Sequence, residues 1–369
     1  MIRVENLAMV YQSDGKEVQA LRGVSLSVGK GQFYTLLGPS GCGKTSMLRC
    51  IAGLERPKCG RILIGDEVVF DSDAGIFVEP NDRNIGMVFQ SYAIWPHMSV
   101  FENVAFPLRH LRVRPSGDEI RDRVNRALSM VQLAGLGDRP APYLSGGQQQ
   151  RLALARALVF EPRVLLLDEP LSNLDAKLRE EMRMEIRELV LRLGITTLFV
   201  THEQVEALTM SDVVAVMRDG RLVQEGAPAD IYRHPNAAFV ADFIGKSNFL
   251  PGKVQSLLQR DGQAMVLVGT SIADFECRAT PGLTTGSDVL VAVRPENLTV
   301  ISSIPDGHAG GVAGVVENVI YLGNLVELVV RVGDQHLRVQ HLPSSVPEKG
   351  ARVTVSFMPG SLNVLHADP

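Results

Sequence analysis

The 369-residue sequence predicts an α/β domain with a helical insertion, followed by a small all-β domain. Three observations carry that expectation. A short apolar strand at Phe33–Leu37 runs into a glycine-rich stretch and then into a helical pattern. The run Val164–Leu167 is continuously apolar, as a strand covered on both faces must be. Beyond about Gly245, turn residues and alternating valines replace the helical period.

Taken in order, the chain up to Val28 reads as strand. Val18, Leu21, Val24, Leu26 and Val28 are its apolar positions, and Asp14-Gly15 supplies a turn. After Phe33–Leu37, the residues Met47, Leu48 and Ile51 define a helix face that Gly53 closes. Gly86–Phe89 is the next strand, ending at Gln90. From about 91 to 160, Ile120, Val124, Leu128 and Val131 recur at helical spacing, with Pro and Gly between the pieces. This is the helical insertion. Leu174, Leu178, Met182, Ile186, Leu189 and Leu193 then mark one face of a long helix, ended by Gly194, and Ile195–Val200 is a further strand. Strands and helices alternating in this way imply a parallel sheet.

The last part of the chain carries an internal repeat. Val289-x-Val291-x-Val293-x-Pro295-x-x-Leu298-x-Val300-Ile301 matches Val353-x-Val355-x-Phe357-x-Pro359-x-x-Leu362-x-Val364-Leu365. Two copies of one strand–turn–strand unit predict a small barrel built by duplication. The expected division is therefore 1–240 and 241–369.

Composition narrows the function. A net charge of -4 gives no basic footprint for nucleic acid. Cys42, Cys50, Cys59 and Cys277 have neither metal-ligand spacing nor the density of a disulfide framework, which fits a reducing compartment. The first residues lack a signal core, and the longest apolar runs are far too short to span a bilayer. A membrane role would have to run through a partner.

Three motifs carry chemistry. Gly38-Pro39-Ser40-Gly41-Cys42-Gly43-Lys44-Thr45 fits a phosphate-binding loop. Its glycines let successive N–H groups face an anion, and the following helix points its N-terminus at the same place. Lys44 adds charge for the β- and γ-phosphates, and Thr45 offers a hydroxyl to Mg²⁺. Asp168 and Glu169 end the buried strand Val164–Leu167, at the sheet edge where ligands sit in parallel folds. Asp168 is placed for the Mg²⁺ shell and Glu169 for a general base acting on water. Leu144-Ser145-Gly146-Gly147-Gln148 pairs an N-cap serine with two glycines that permit close approach to a second phosphate.

With this last segment the sequence resembles the ABC (ATP-binding cassette) ATPase family, whose signature is LSGGQ. The resemblance covers the whole chain, and implies a P-loop ABC ATPase domain followed by an OB-like barrel. It implies a homodimer in which two cassettes, head to tail, sandwich two ATPs. ATP and Mg²⁺ would be the cofactors. Gly38, Ser40, Gly41, Cys42, Gly43, Lys44, Thr45 and Ser46 would hold the phosphates from one chain, and Ser145, Gly147 and Gln148 would reach the γ-phosphate from the other. Gln90 resembles the glutamine that senses Mg²⁺ and water, and His202 resembles the switch histidine at the γ-phosphate. Ser172-Asn173-Leu174-Asp175 is similar to the loop that crosses the dimer interface, which puts Asp175 near the nucleotide. Tyr11 is similar to the aromatic that stacks on adenine.

The C-terminal region resembles the regulatory barrel of importer ATPases of the maltose, polyamine and ferric-iron type, and Ser91–Met98 looks most like the latter two. The implied partners are transmembrane permease subunits and, indirectly, a solute-binding protein, with no nucleic acid. The implied place is the cytoplasmic face of the inner membrane, as a peripheral protein. Trp95 and the long stretch Gly65–Asn84 depart from the commonest pattern. Trp95 has two readings, an anchor for a permease helix or packing inside the insertion. A soluble ABC ATPase acting on DNA or the ribosome is the alternative function. One cassette, no heptad run and a mildly acidic balance speak against it. A phosphotransferase would leave the signature, His202 and the barrel unexplained.

Overall fold

A computed structural model describes residues 1–13, 15–260, 263–280, 282–302 and 311–366. Asp14, half of the expected first turn, lies outside them. The chain divides into two compact units, Met1–Pro228 and Ala229–Pro369.

The first unit holds two sheets. One is antiparallel, in the order Lys16–Val28, Ile2–Ser13, Cys59–Ile64, Glu67–Asp71, Ile76–Phe77. The other runs Arg221–Gly226, Val213–Arg218, Phe33–Leu37, Thr196–Thr201, Val164–Asp168, Ile85–Val88. Its last five strands pair in parallel. The continuous apolar run Val164–Leu167 now has its cause. Val164 and Leu166 enter the core shared with Leu36, Met47, Leu48 and Ile51, while Leu165 and Leu167 enter the core of the helical insertion. A strand with an apolar core on each face cannot alternate.

The insertion forms the helices Val100–Arg109, Gly117–Met130 and Gly146–Leu158. Ile120, Val124 and Leu128 are buried as their spacing requires, and Val131 caps the second helix from inside the core. The long helix is Ala176–Leu193, stopped by Gly194 in the left-handed conformation. Two apolar expectations fail. Val18 is 52% exposed and Leu193 39% exposed, whereas Val190 is buried in its place. Val18 lies beside the hairpin turn, and Leu193 is in the last helical turn; both ends outrun the core.

In the second unit, a closed barrel is ordered Asn248–Arg260, Gln263–Thr270, Asp274–Arg278, Asn363–His366, Asp288–Val293. A separate five-stranded sheet runs Leu298–Ser302, Arg352–Phe357, Gly311–Tyr321, Val326–Val332, Gln335–His341. The duplicated units exchange strands. The first strand of the early copy pairs with the second of the late copy, Ala292 opposite Asn363, and the reverse pairing sets Leu298 opposite Phe357. One copy therefore cannot close without the other.

The contact division falls ahead of the boundary expected at 240. The helix Ala238–Phe243 and all but the first residue of Pro228–Arg233 fall in the second unit, where buried Arg294 holds both. Its guanidinium donates to the carbonyls of Tyr232 (3.1 Å), Ala241 (2.7 Å) and Lys246 (3.2 Å), and stacks on the Tyr232 ring.

Candidate functional site

Parallel register brings the candidate residues to one sheet edge. Leu37 pairs with Thr201 and Asp168 with Val200, so the glycine-rich loop, Asp168-Glu169 and His202 leave neighbouring strands at the same level. Val88 pairs with Leu167 on the next strand, and Gln90 follows it.

The loop wraps tightly. A Cβ at Gly38 would lie 2.4 Å from the Met217 carbonyl oxygen, and one at Gly43 2.4 Å from that of Ala20. Only glycine fits either place, and Gly43 also has φ 102°. Gly43 offers no side-chain cap to the helix Lys44–Ala52, so its first amides remain available to an anion. Lys44 is buried, and its ammonium donates to the carbonyls of Gly38 (2.8 Å) and Pro39 (2.9 Å). The thiol of Cys42 is buried, 3.8 Å from that ammonium, so Cys42 can meet a nucleotide only through its backbone.

Thr45 Oγ1 donates to Asp168 Oδ1 at 3.0 Å. Burial pushes the Asp168 pKa up, and the Thr45 hydrogen bond works against that shift. A buried carboxylate beside a hydroxyl fits a hard cation completed by phosphate oxygens and water. No cluster of three acidic, His or Cys residues able to hold a metal exists among the described residues.

Glu169 is the hub. Gln90 Nε2 donates to Glu169 Oε2 at 3.3 Å, and His202 Nδ1 lies 3.1 Å from the same oxygen. Glu169 has φ 43°, in the left-handed region, which costs about 1–3 kcal/mol for a residue with a Cβ. It is held there by its amide donating to the Val200 carbonyl (3.0 Å) and by Ser172 Oγ donating to its carbonyl (3.0 Å). Asn173 Nδ2 donates to the Gln90 carbonyl at 2.7 Å, which ties the two loops. Behind His202, Thr201 Oγ1 donates to the buried Glu206 at 2.5 Å; burial pushes the Glu206 pKa up.

Tyr11 donates its hydroxyl to Glu55 and lies 3.0 Å from Ser46 Oγ, which donates to it, beside the phosphate loop; burial raises its pKa to about 12. Ser145 caps the helix Gly146–Leu158 and closes a capping box, with Gln148 Oε1 accepting from its amide at 3.0 Å. A Cβ on Gly147 would press Leu178 at 3.1 Å. Asp175 caps Ala176–Leu193 by accepting from the Leu178 amide at 3.1 Å. The signature residues and Asp175 make no hydrogen bond to the phosphate loop. Sequence reasoning missed Glu55, Asn103, Arg156 and Glu206. Asn103, Arg156 and Glu206 are buried polar residues inside helical patterns, and Glu55 is a half-buried loop residue marked only by its bond to Tyr11.

An anion-binding loop, an Asp–Thr pair and a carboxylate shared by glutamine and histidine at one sheet edge define a phosphate-loop nucleotide hydrolase. The comparisons make the class specific. Residues 21–172 match the ABC transporter family model, and residues 291–365 match the TOBE domain. The spermidine/putrescine import ATP-binding protein PotA 1 of Pseudomonas aeruginosa is 43% identical, over 95% of this chain and 92% of that one. The Fe(3+) ions import ATP-binding protein FbpC of Agrobacterium fabrum is 43% identical over 97% of each chain. The trehalose/maltose import ATP-binding protein MalK of Thermococcus litoralis is 44% identical over 92% of each. Among solved structures, a dimeric bacterial ABC transporter cassette aligns with TM-score 0.54 and 33% identity, covering 62% of this chain and 99% of that one. The chain belongs to the ABC transporter ATP-binding family, in its import branch.

Proposed function

We propose that this chain is the ATP-hydrolysing subunit of an ABC importer, working as a homodimer on a separate transmembrane permease fed by a solute-binding protein. The observation that carries the reading is the convergence of Gln90, Glu169 and His202 from three strands beside Lys44, Thr45 and Asp168. The loop amides, Lys44 and the helix N-terminus bind the triphosphate, and Tyr11 is in reach of the base side through its place beside Ser46. Thr45, Asp168 and Gln90 would hold Mg²⁺, which would supply positive charge to offset that of the phosphates.

Glu169 is the general base. Its Oε2 accepts the proton of the attacking water once the Gln90 amide swings off it. His202 then stays on the carboxylate and orients it. Ser145, Gly147 and Gln148 of one protomer would complete the site of its partner, which requires their capping box to open toward the phosphate. The relatives named for polyamine, ferric-iron and sugar import are equally similar. We favour a polyamine or ferric iron as the solute, on the segment Ser91–Met98. No helix among the described residues is long and apolar enough to cross a membrane, which suits a peripheral subunit on the cytoplasmic face.

The test is magnesium-dependent phosphate release from ATP by the purified chain, followed by its reconstitution with a candidate permease. A folded protein that neither binds nor hydrolyses ATP would refute the proposal. Stimulation of turnover by a loaded polyamine- or iron-binding protein would name the solute.

A further inference from the structure

Arg156 is a buried arginine whose guanidinium bonds backbone carbonyls. It is 8% exposed, and no carboxylate among the described residues forms an ion pair with it. Burial lowers its pKa to about 10. A buried guanidinium is expensive unless its donors are used, and here they are used on backbone. Nη2 donates to the Tyr92 carbonyl and Nη1 to the Ala93 carbonyl, each at 2.6 Å. The guanidinium carbon also sits 4.7 Å from the centroid of the Trp95 ring, which packs on Phe106 with centroids 4.2 Å apart.

The two residues it grips are strained. Tyr92 has φ 61° and Ala93 φ 47°, consecutive left-handed residues with side chains. They follow Gln90, whose amide reaches Glu169. A second buried residue holds the far side of the turn. Asn103 accepts from the Trp95 amide (3.0 Å) and donates to the Trp95 (3.1 Å) and Ser99 (3.0 Å) carbonyls. Arg156 itself stands in the last turn of the helix that begins at Ser145. One side chain therefore joins the loop of Gln90 to the helix carrying Ser145 and Gln148.

We propose that Arg156 is a positioning residue for hydrolysis: its fork holds Tyr92 and Ala93 left-handed, which aims Gln90 at Glu169, and makes that loop and the Ser145 helix move as one body. The inference rests on the ATPase reading above. Arg156 acts through Gln90 and touches no nucleotide. The fork is what matters, because two parallel N–H donors can bridge adjacent carbonyls and a lysine ammonium cannot do so in the same plane.

The experiment is a comparison of Arg156→Lys, Ala93→Gly and the double variant in the full-length protein. ATP affinity, kcat, KM and Trp95 emission would be measured for each, with wild-type turnover as the control on the ATPase reading. Arg156→Lys is expected to lower kcat by roughly tenfold to a hundredfold, the scale of a small misplacement of a catalytic group, with ATP affinity unchanged. Glycine adopts positive φ freely, so Ala93→Gly in the Arg156→Lys background should restore most of the lost kcat. A merely structural arginine would not be rescued by an exposed glycine. Should Arg156→Lys not fold, Ala93→Val carries the test. A β-branched residue resists the left-handed conformation, so kcat should fall with ATP affinity intact. The proposal is overturned by unchanged kcat in Arg156→Lys or Ala93→Val, or by a folded double variant no faster than Arg156→Lys.

Discussion

Thr45 Oγ1 and Asp168 Oδ1 lie 3.0 Å apart although 123 residues separate them. The contact joins the first turn of the phosphate-loop helix to the end of the neighbouring core strand. It also satisfies a carboxylate that burial would otherwise penalise. Replacing Thr45 by valine keeps the shape and removes the donor. We expect Thr45→Val to lose about 1–3 kcal/mol of stability, the cost of an unsatisfied buried acceptor. Magnesium-dependent stabilisation by ATP should fall with it. Thermal melting with ATP alone and with ATP plus Mg²⁺ separates the two effects. A variant with wild-type response to the cation would remove Thr45 from the metal site.

Glu169 gives the sharpest kinetic prediction. Glu169→Gln keeps a group that can bond His202 and Gln90, but it cannot take a proton from water. Turnover should drop by roughly a hundredfold to ten-thousandfold, the usual contribution of a general base. ATP should still bind, and an ATP-bound dimer should accumulate on size exclusion. Near-normal turnover would exclude Glu169 as the base.

Much of this site was legible before the fold, and the reason is local. Gly38–Thr45 and Asp168-Glu169, which the fold brings together, and Ser145–Gln148, which makes no hydrogen bond to the phosphate loop, are each recognisable within a few consecutive residues. The shared edge was legible too, because strand ends collect ligands in parallel sheets. What stayed hidden depends on contacts distant in sequence. Arg156 sits in a helix that reads as ordinary, and nothing marks its burial 63 and 64 residues from the carbonyls it holds. Strands such as Cys59–Ile64 and Glu67–Asp71 were missed because they are short, half-buried and show no clean alternation of apolar and polar residues. The repeat was visible, yet the pairing Leu298–Phe357 and Ala292–Asn363 was not, since matching copies do not say whether each pairs with itself or with the other.

Truncation tests where the nucleotide domain ends. We propose that it ends at Pro228, since the next helices are held by Arg294. A chain stopped after Pro228 should fold, bind ATP and hydrolyse it at a basal rate. A chain stopped near Gly245 would carry Ile231, Val240 and Ala241, all fully buried in the intact protein, without Arg294. It should therefore be the more aggregation-prone of the two, as exposed apolar patches predict. Light scattering and ATPase assays on both chains decide it; equal solubility would argue against the earlier boundary.

Asp212 anchors the strand that feeds the phosphate loop, accepting from the Phe33 amide at 2.8 Å and pairing with Arg187 at 2.5 Å. Partial burial alone would raise its pKa, but the Arg187 hydrogen bond and the Phe33 amide outweigh it and hold the pKa below the ordinary value of 3.8. A carboxylate with a lowered folded-state pKa binds fewer protons folded than unfolded. Its stability contribution is complete above 3.8 and disappears as pH falls through the depressed value. With 38% of the side chain exposed, solvent screening keeps the contribution near 0.5–1 kcal/mol. Asp212→Asn retains an acceptor for Phe33 and loses the ion pair. Urea melts of both proteins should differ by that amount at pH 6 to 7, and the difference should shrink as pH falls below 3.8. A difference that persists unchanged into acid would mean that Asp212 acts through its hydrogen bonds and shape, with no contribution from its charge.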